Sequence, residues 1–396
     1  MRRILSICLV SAGLLFAQEP AVTRAWKLAG TGHRDEAVQV LRDFVKSSPA
    51  DADARLLLGS LLREKGDRDG ALDQLSAAVR LRPDSFEALA ALGEAYINFA
   101  DPQAARAPLE EAVKLNPRSA IAQLELGRVL LEFREFDAAA SHLDLAIESL
   151  GQDSDAATAH YLRAKIYTEH GDAGQTAKEL EKALAIRAAF PEAWSDLGEA
   201  RKSLGDHPAA TAAFRKAVHL APNDSVAQFR LGEEYLAQHQ PQLAVEPLRQ
   251  AHRLTPQDHS ILNALQKALR QDGQSKEADE IKQELATLLA RDEADSEIDM
   301  KAVRLNNEGA RLQKAGDLQG AVEKYSAAAK LSPGNVPIRV NYAVAMLRLG
   351  KWTDGLNELH ESLLMDPNNT KIRAALRDAL AQAPAGSAPQ WKNEFK

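Results

Sequence analysis

Histidines and carboxylates are the residues of this chain that could do chemistry, but their spacing assembles no catalytic site. The ten histidines are scattered, and none occurs in the His-Glu-x-x-His arrangement that supplies two zinc ligands from one helix. The carboxylate pairs Glu110-Glu111 and Glu233-Glu234 are typical of solvated helix faces, because acidic residues are abundant throughout the chain. Glycines are spread along the chain rather than grouped in a phosphate-binding loop. The sequence therefore predicts a protein that is not an enzyme, with no catalytic residue, no cofactor and no metal.

The composition favours helices and argues against nucleic acid as a partner. Ala, Leu, Glu, Lys, Arg and Gln dominate, whereas aromatic residues make up 5% of the chain. Apolar residues are 45%, enough to bury a large core, and charged residues are 27%. The formal net charge is −7, with acidic and basic residues interspersed, and a mildly acidic chain repels phosphate backbones. We expect no binding of nucleic acid.

Residues 1–17 have the layout of a secretory signal peptide. Arg2 and Arg3 form a positively charged start, and the apolar stretch that ends at Ala17 is shorter than the roughly 20 residues that span a bilayer. We expect cleavage after Ala17, export to a periplasm or the outside of the cell, and no membrane span in the mature chain. Two alternatives stay open: an uncleaved anchor, and a lipoprotein attached through Cys8, the single cysteine, although the apolar run before it is short.

A period of 34 residues organises the rest of the chain. Prolines fall on this period in three groups: Pro49, Pro83 and Pro117; Pro222 and Pro256; Pro333 and Pro367. Leu-Gly pairs follow the same period at Leu58-Gly59, Leu92-Gly93, Leu126-Gly127, Leu197-Gly198 and Leu231-Gly232. Alanines mark the second half of each unit, as at Ala210 and Ala217. A fixed period of this length indicates a stack of identical supersecondary units rather than separate globular domains.

These residues resemble the tetratricopeptide repeat family over about residues 21–380. The clearest unit carries Trp194, Leu197, Gly198, Ala210, Phe214, Ala217 and Pro222 at the positions of the family pattern. The resemblance implies an all-α fold without strands: a right-handed α-solenoid of about ten helix-turn-helix repeats. In each repeat, the glycine of Leu-Gly permits close contact between the two helices, and the proline ends the second helix. Gly-Asp pairs such as Gly205-Asp206 end the first helix.

Departures from the period predict the domain organisation. The spacing grows to 37 between Gly127 and Ala164, and to 43 between Gln266 and Gly309, where a charged stretch is inserted. We expect repeats 1–8 in residues 18–290, a charged linker or helix extension at 291–300, and repeats 9–10 with a capping helix at 301–380. A disordered tail is expected at 381–396. Its aromatic residues Trp391 and Phe395 are either a short docking motif or two isolated side chains.

The resemblance also implies where a partner binds, namely the concave groove lined by the first helix of each repeat. Its side chains stand three before, one after and four after the Leu-Gly glycine. These positions mix apolar anchors with charges of both signs, which suits an extended or helical peptide better than a small polar metabolite. The predicted groove residues are Leu124, Arg128, Leu131, Tyr161, Lys165, Glu199, Lys202, Phe229, Glu233, Leu236, Lys267 and Arg270.

The resemblance therefore implies a non-enzymatic scaffold or adaptor that binds a peptide or protein partner. An alternative is a structural accessory subunit of an envelope assembly or polysaccharide export machine. Two specialised forms of the family do not fit. A carboxylate clamp is contradicted by Asn306, Ala310 and Ala375, and an asparagine ladder by the residues two before each glycine, which read Leu57, Ala91, Glu125, Leu162, Asp196 and Arg230. The sequence does not predict the oligomeric state.

Overall fold

The computed structural model describes residues 20–384 except 368, together with 386, 387, 389 and 391. The predicted signal peptide at 1–17 lies outside the described residues. Within them the chain forms twenty α-helices and no β-strand, as the sequence predicted. The contacts divide the chain into two compact units, and the boundary in the sequence lies between Pro256 and Gln257. They are called here the N-terminal and the C-terminal unit.

The N-terminal unit contains seven antiparallel helix pairs. In each pair an odd-numbered first helix packs against the even-numbered second helix that follows it. The helices are α1 Ala21–Gly30, α2 Arg34–Ser47, α3 Ala52–Glu64, α4 Arg68–Leu81, α5 Phe86–Asn98, α6 Pro102–Leu115, α7 Ala120–Glu132, α8 Phe136–Leu150, α9 Ser154–Glu169, α10 Ala173–Ile186, α11 Pro191–Ser203, α12 His207–Leu220, α13 Ser225–Ala237 and α14 Pro241–Leu254.

The C-terminal unit is organised around one long helix. Its helices are α15 His259–Gln271, α16 Ser275–Lys314, α17 Leu318–Leu331, α18 Val336–Arg348, α19 Trp352–Met365 and α20 Thr370–Gln382. Helix α16 has 40 residues: its first part packs on α15 and its last part on α17. It is therefore the second helix of the eighth repeat and the first helix of the ninth, and the charged stretch at 291–300 is helical. A boundary was expected near residue 290, but α16 runs through it unbroken, and the units divide before α15.

The glycines of the Leu-Gly pairs allow the two helices of a repeat to approach closely. A Cβ atom built on Gly59 would lie 2.6 Å from Cγ of Leu75, and one on Gly127 would lie 2.8 Å from Cγ of Leu143. The partner is always the residue sixteen positions later, which is buried. The same relation holds for Gly93 with Leu109, Gly198 with Phe214, Gly232 with Leu248 and Gly309 with Tyr325. Close packing thus explains the glycine, as the sequence predicted.

Short polar side chains cap the N-termini of most of the helices. Oγ of Ser85 accepts a hydrogen bond from the amide of Ala88 at 3.2 Å, and Asp224 accepts from the amides of Val226 and Ala227. Each such cap satisfies a backbone donor that has no partner within its helix and contributes about 1 kcal/mol.

A further side-chain hydrogen bond anchors the start of several first helices, and the sequence analysis did not predict it. The residue four before the Leu-Gly glycine donates a side-chain hydrogen bond to the carbonyl oxygen six residues earlier. Gln123 donates to Pro117 at 2.7 Å, and Trp194 donates to Ala188 at 2.8 Å. Arg55, Gln228 and Arg373 do the same to Pro49, Pro222 and Pro367. Gln, Trp and Arg can all make this hydrogen bond, because each is a long side chain with an N–H group.

The turn between the two helices of a repeat requires a left-handed backbone. Gly205 has φ +76°, and the amide of Asp206 then donates to the carbonyl of Arg201 at 2.9 Å. The equivalent positions of three other repeats carry non-glycine residues at positive φ: Ala100 at 57°, Arg134 at 60° and His239 at 58°. An L residue pays a steric cost in this conformation that glycine does not.

Replacing Ala100 with glycine is expected to stabilise the protein by roughly 0.5–1 kcal/mol, because the steric cost at positive φ exceeds the entropy lost by glycine. The matched control is Ala107→Gly on the exposed face of α6, which should destabilise by about 1 kcal/mol. Urea unfolding of both variants measures the two changes. A destabilised Ala100→Gly protein would contradict this account of the turn.

The end of the chain packs back onto the last repeat as far as the structure describes it. Helix α20 ends at Gln382, after which the hydroxyl of Thr353 donates to the carbonyl of Ser387 at 3.1 Å. The indole of Trp391 stacks on His360, with ring centroids 4.1 Å apart, and its Nε1 donates to Asn357 at 2.9 Å. The sequence predicted a disordered tail at 381–396, with Trp391 and Phe395 as either a docking motif or two isolated side chains; Phe395 lies outside the described residues. His360 and Asn357 of α19 supply these contacts with Trp391, and composition alone cannot reveal them.

Candidate protein-binding surface

The first helices of neighbouring repeats lie side by side in the N-terminal unit. Helix α7 contacts α5 and α9 in this way. In repeats five to seven, side-chain contacts link α9 to α11 and α11 to α13, between residues 31 to 35 positions apart. These helices carry most of the predicted groove residues on one face, and this face is called here the inner face.

Two of the predicted groove residues are buried. Leu124 is 3% exposed and Leu236 is 7% exposed, so neither can anchor a ligand. They were expected to line the groove because they stand three before and four after a glycine. Leu124 instead packs in the core between neighbouring repeats.

The remaining predicted residues of the N-terminal unit reach the surface. Leu131, Tyr161 and Phe229 are half-buried, which leaves part of each side chain open to contact. The charged members are also partly exposed: Arg128, Lys165, Glu199, Lys202 and Glu233. The last two predicted residues, Lys267 and Arg270, are exposed and belong to the C-terminal unit, where Arg270 donates to Asp279 at 3.1 Å.

A charge network crosses the inner face of repeats five to seven. Nζ of Lys165 lies 2.7 Å from Oδ2 of Asp196, and Oδ1 of Asp196 lies 3.6 Å from Nη1 of Arg230. Arg230 also donates to the hydroxyl of Ser195 at 2.8 Å, and its Nε lies 3.5 Å from Glu199. These five residues, named the charge network from here on, join three successive first helices.

Asp196 and Arg230 were not among the predicted groove residues. Both stand two before the glycine position, in the row whose lack of asparagines argues against an asparagine ladder. A signal for this contact is present in the sequence. The side chain at this position changes from acidic in Asp196 to basic in Arg230 of the next repeat, which indicates an ion pair across the repeat interface. In the C-terminal unit, Nδ2 of Asn341 donates to Oδ1 of Asn306 at 3.0 Å, a contact between residues 35 positions apart, as are Ser195 and Arg230.

The surroundings of Lys165 and Tyr161 shift the pKa values of both side chains. Burial by itself would lower the pKa of Lys165, but the hydrogen bond and negative charge of Asp196 outweigh it and raise the pKa. Burial, aided by the charge of Asp196, raises the pKa of the Tyr161 phenol. Lys165 therefore stays cationic and Tyr161 stays neutral at physiological pH, which suits binding rather than proton transfer.

An aromatic platform borders the charge network. The rings of Tyr161 and Phe190 lie 4.8 Å apart at an interplanar angle of 47°. Lys165 lies 5.2 Å from the centre of the Tyr161 ring, and the guanidinium of Arg187 lies 3.7 Å from that of Phe190. Phe190 was not predicted: it precedes Pro191, the first residue of α11, in the repeat that lacks the usual closing proline. The two aromatic side chains are half-buried, so together they offer an apolar surface.

Neither a metal centre nor a membrane span is found in the part of the chain that the structure describes. No group of three or more histidine, cysteine, aspartate or glutamate side chains there is placed to hold a metal ion. Among the same residues, no helix combines the length and the apolar character needed to cross a bilayer.

Comparison with known proteins identifies the repeats. A tetratricopeptide repeat model matches residues 22–86, 59–107, 90–154 and 161–225, and a second tetratricopeptide repeat model matches 312–385. The chain belongs to the tetratricopeptide repeat family. The resemblance deduced from the 34-residue period and the all-α fold are thereby confirmed. Membership of this family supports a scaffold for protein–protein interaction.

Solved structures similar to this chain include PilF, MamA and PilW, and of these three PilF shows the same fold. PilF of Pseudomonas aeruginosa is 17% identical, with a TM-score of 0.50, and the match covers 55% of this chain and 96% of that one. MamA is 28% identical, with a TM-score of 0.37, and the match covers 42% and 96%. PilW, described as a type IV pilus biogenesis factor, is 19% identical, with a TM-score of 0.47, and the match covers 52% and 95%. A search of curated proteins finds no match to this chain.

Proposed function

We propose that this tetratricopeptide protein binds an extended or helical segment of a partner protein along the inner face of repeats four to seven. The observation that carries the proposal is the aromatic platform beside the charge network on neighbouring helices. Binding surfaces for peptides combine a few apolar anchors with polar groups that set the register. Tyr161 and Phe229 stand at the same position of the fifth and seventh repeats, with the small Ser195 between them. Two anchor points therefore flank a polar centre.

We expect the charge network to contribute to the specificity of partner binding more than to its affinity. Its members already satisfy one another, so a partner gains little by replacing these contacts, and a badly placed charge would leave one of them unpaired. The apolar side chains supply the affinity, since covering them removes apolar surface from water. The partner segment that fits has apolar side chains for Tyr161, Phe190 and Phe229, separated by polar residues.

Replacing Phe229 with alanine is expected to weaken peptide binding at least tenfold, because the seventh-repeat anchor is lost. The probe is a peptide selected from a displayed random library on the full-length protein, and fluorescence anisotropy measures its dissociation constant. The matched control is Leu243→Ala, which truncates a leucine that is 53% exposed on the second helix of the same repeat. Circular dichroism of both variants should match that of the parent. Equal affinity of the peptides for parent and Phe229→Ala would refute the proposed surface.

The proposal includes export, which the residue types at 1–17 favour. N-terminal sequencing of the protein isolated from its source tests this point, since cleavage after Ala17 leaves Gln18 as the first residue. The alternative role, a structural subunit of an envelope assembly or polysaccharide export machine, predicts a different biochemical result. Purification from the extracytoplasmic fraction would then yield a large stable complex rather than one dominant ligand.

A further inference from the structure

The middle of α16 lacks the packing that supports its two ends. Residues 289–301 are all exposed, whereas Ala278, Ile281 and Leu285 before them and Ala302 and Gly309 after them are buried. The exposed residues, called here the bridge segment, extend for about 20 Å at 1.5 Å per residue. Most helices of globular proteins depend on tertiary packing of one face. A helical segment that is exposed along its whole length between two packed ends is therefore a candidate site for a partner.

One face of α16, along the bridge segment and as far as Val303, has the side-chain spacing of a helix–helix interface. Leu289, Ser296, Met300 and Val303 follow one another at intervals of seven, four and three residues, which places them in one row along the helix. Leu289 is 49%, Met300 60% and Val303 47% exposed. A shallow depression lies on the same face, lined by Asp292, Asp295, Ser296, Asp299, Met300, Val303, Arg304 and Asn307. The row is named the bridge seam.

The charges beside the bridge seam indicate what kind of partner can bind there. The bridge segment contains five carboxylates, namely Asp292, Glu293, Asp295, Glu297 and Asp299, against two basic side chains, Arg291 and Lys301. Asp292 lies 3.0 Å from His259, and Asp295 lies 3.7 Å from Arg291, contacts that leave both carboxylates about half exposed. Two copies of this segment placed side by side would repel each other, whereas a helix with lysine or arginine along its seam would be attracted.

We propose that the bridge seam docks a basic amphipathic helix of a partner protein. The apolar row of that helix packs against Leu289, Met300 and Val303, and its basic side chains lie along the edge formed by Asp292, Asp295 and Asp299. This surface belongs to the C-terminal unit, and its residues are separate from those of the groove proposed for the N-terminal unit. The protein would then hold two partner segments of different chemistry, one on each unit.

A charge-swap experiment on the full-length protein tests the docking surface. The probe is a synthetic helical peptide with leucines at alternating intervals of three and four and lysines between them. A second peptide carries glutamate in place of every lysine. The parent should bind the lysine peptide and not the glutamate peptide. In the double variant Asp295→Lys with Asp299→Lys, affinity for the lysine peptide should fall at least tenfold, and the glutamate peptide should now bind. Met300→Ser should weaken both interactions.

The control variant makes the same change of charge elsewhere in the unit. Glu323→Lys with Asp354→Lys alters exposed residues of α17 and α19 and should leave the lysine peptide bound as tightly as in the parent. Phe229→Ala should also have no effect, which separates this proposal from the groove. Two results would overturn the inference. One is equal loss of binding in both charge-reversed proteins; the other is dimerisation of the parent in sedimentation velocity that Met300→Ser abolishes, since a second copy would then cover the seam.

Discussion

Replacing Gly198 with leucine is expected to unfold the sixth repeat and to destabilise the protein by at least about 3 kcal/mol. A Cβ atom at this position would lie 2.5 Å and 2.7 Å from ring carbons of Phe214, well inside van der Waals contact. Phe214 is fully buried and its ring cannot move away, so the helices α11 and α12 must separate. Because each repeat contacts only its neighbours, the damage should be local. Thermal unfolding and hydrogen exchange of residues 191–220 measure it.

A control and a rescue test the packing explanation. Lys202→Leu adds the same side chain to the same helix at a partly exposed site, and should change stability by less than about 0.5 kcal/mol. The fifth repeat has Ala164 in the place of the glycine and Leu180 in the place of the phenylalanine, both buried. Adding Phe214→Leu to Gly198→Ala copies that pair and should recover stability relative to Gly198→Ala alone. A Gly198→Leu protein as stable as the parent would contradict the explanation that Gly198 is required for close packing against Phe214.

Replacing Glu179 with alanine should be the second large effect, a loss of about 3 kcal/mol. Glu179 is 4% exposed and His160 is 8% exposed. Nδ1 of His160 lies 2.7 Å from Oε2 of Glu179, and Nζ of Lys182 donates to Oε1 at 2.8 Å. The change removes the acceptor of two side chains at once and leaves the imidazole buried without its partner. Chemical denaturation gives the loss. The neighbouring exposed Glu181, which pairs with Arg201, is the control, and Glu181→Ala should cost less than about 1 kcal/mol.

The same carboxylate predicts a pH dependence. Burial, the largest influence, would raise the pKa of Glu179, but the hydrogen bonds and charges of His160 and Lys182 together outweigh it and lower the pKa to about 2. The folded pKa lies below the ordinary value of 4.5. The stabilisation is therefore complete above about pH 5 and is lost as the pH falls toward 2. Glu179→Gln should flatten this part of the stability curve; an unchanged curve would contradict the assigned pKa.

Much of the fold could be predicted from the sequence, because its signals are local and repeated. The close approach at Gly198, the left-handed turn at Gly205 and the cap at Asp224 each depend on residues within one repeat. Steric contact and hydrogen bonding at these sites favour a few residue types, so the 34-residue period makes them visible. The candidate site was predicted less well. Of the predicted groove residues, Tyr161 and Phe229 are half-buried at the surface, whereas Leu124 and Leu236 are buried.

What the sequence determined by itself is the repeat, the helices and the residues that close each helix pair. Only the tertiary structure decided which side chains of the inner face remain accessible, and it alone brought Asp196 to Arg230 and Phe190 to Tyr161. These contacts join residues roughly 30 positions apart on neighbouring repeats, and their geometry depends on how each repeat packs on the next. The continuity of α16 was likewise left open by the sequence between a linker and a helix. A charged stretch is compatible with both, and the structure shows that the bridge segment is helical.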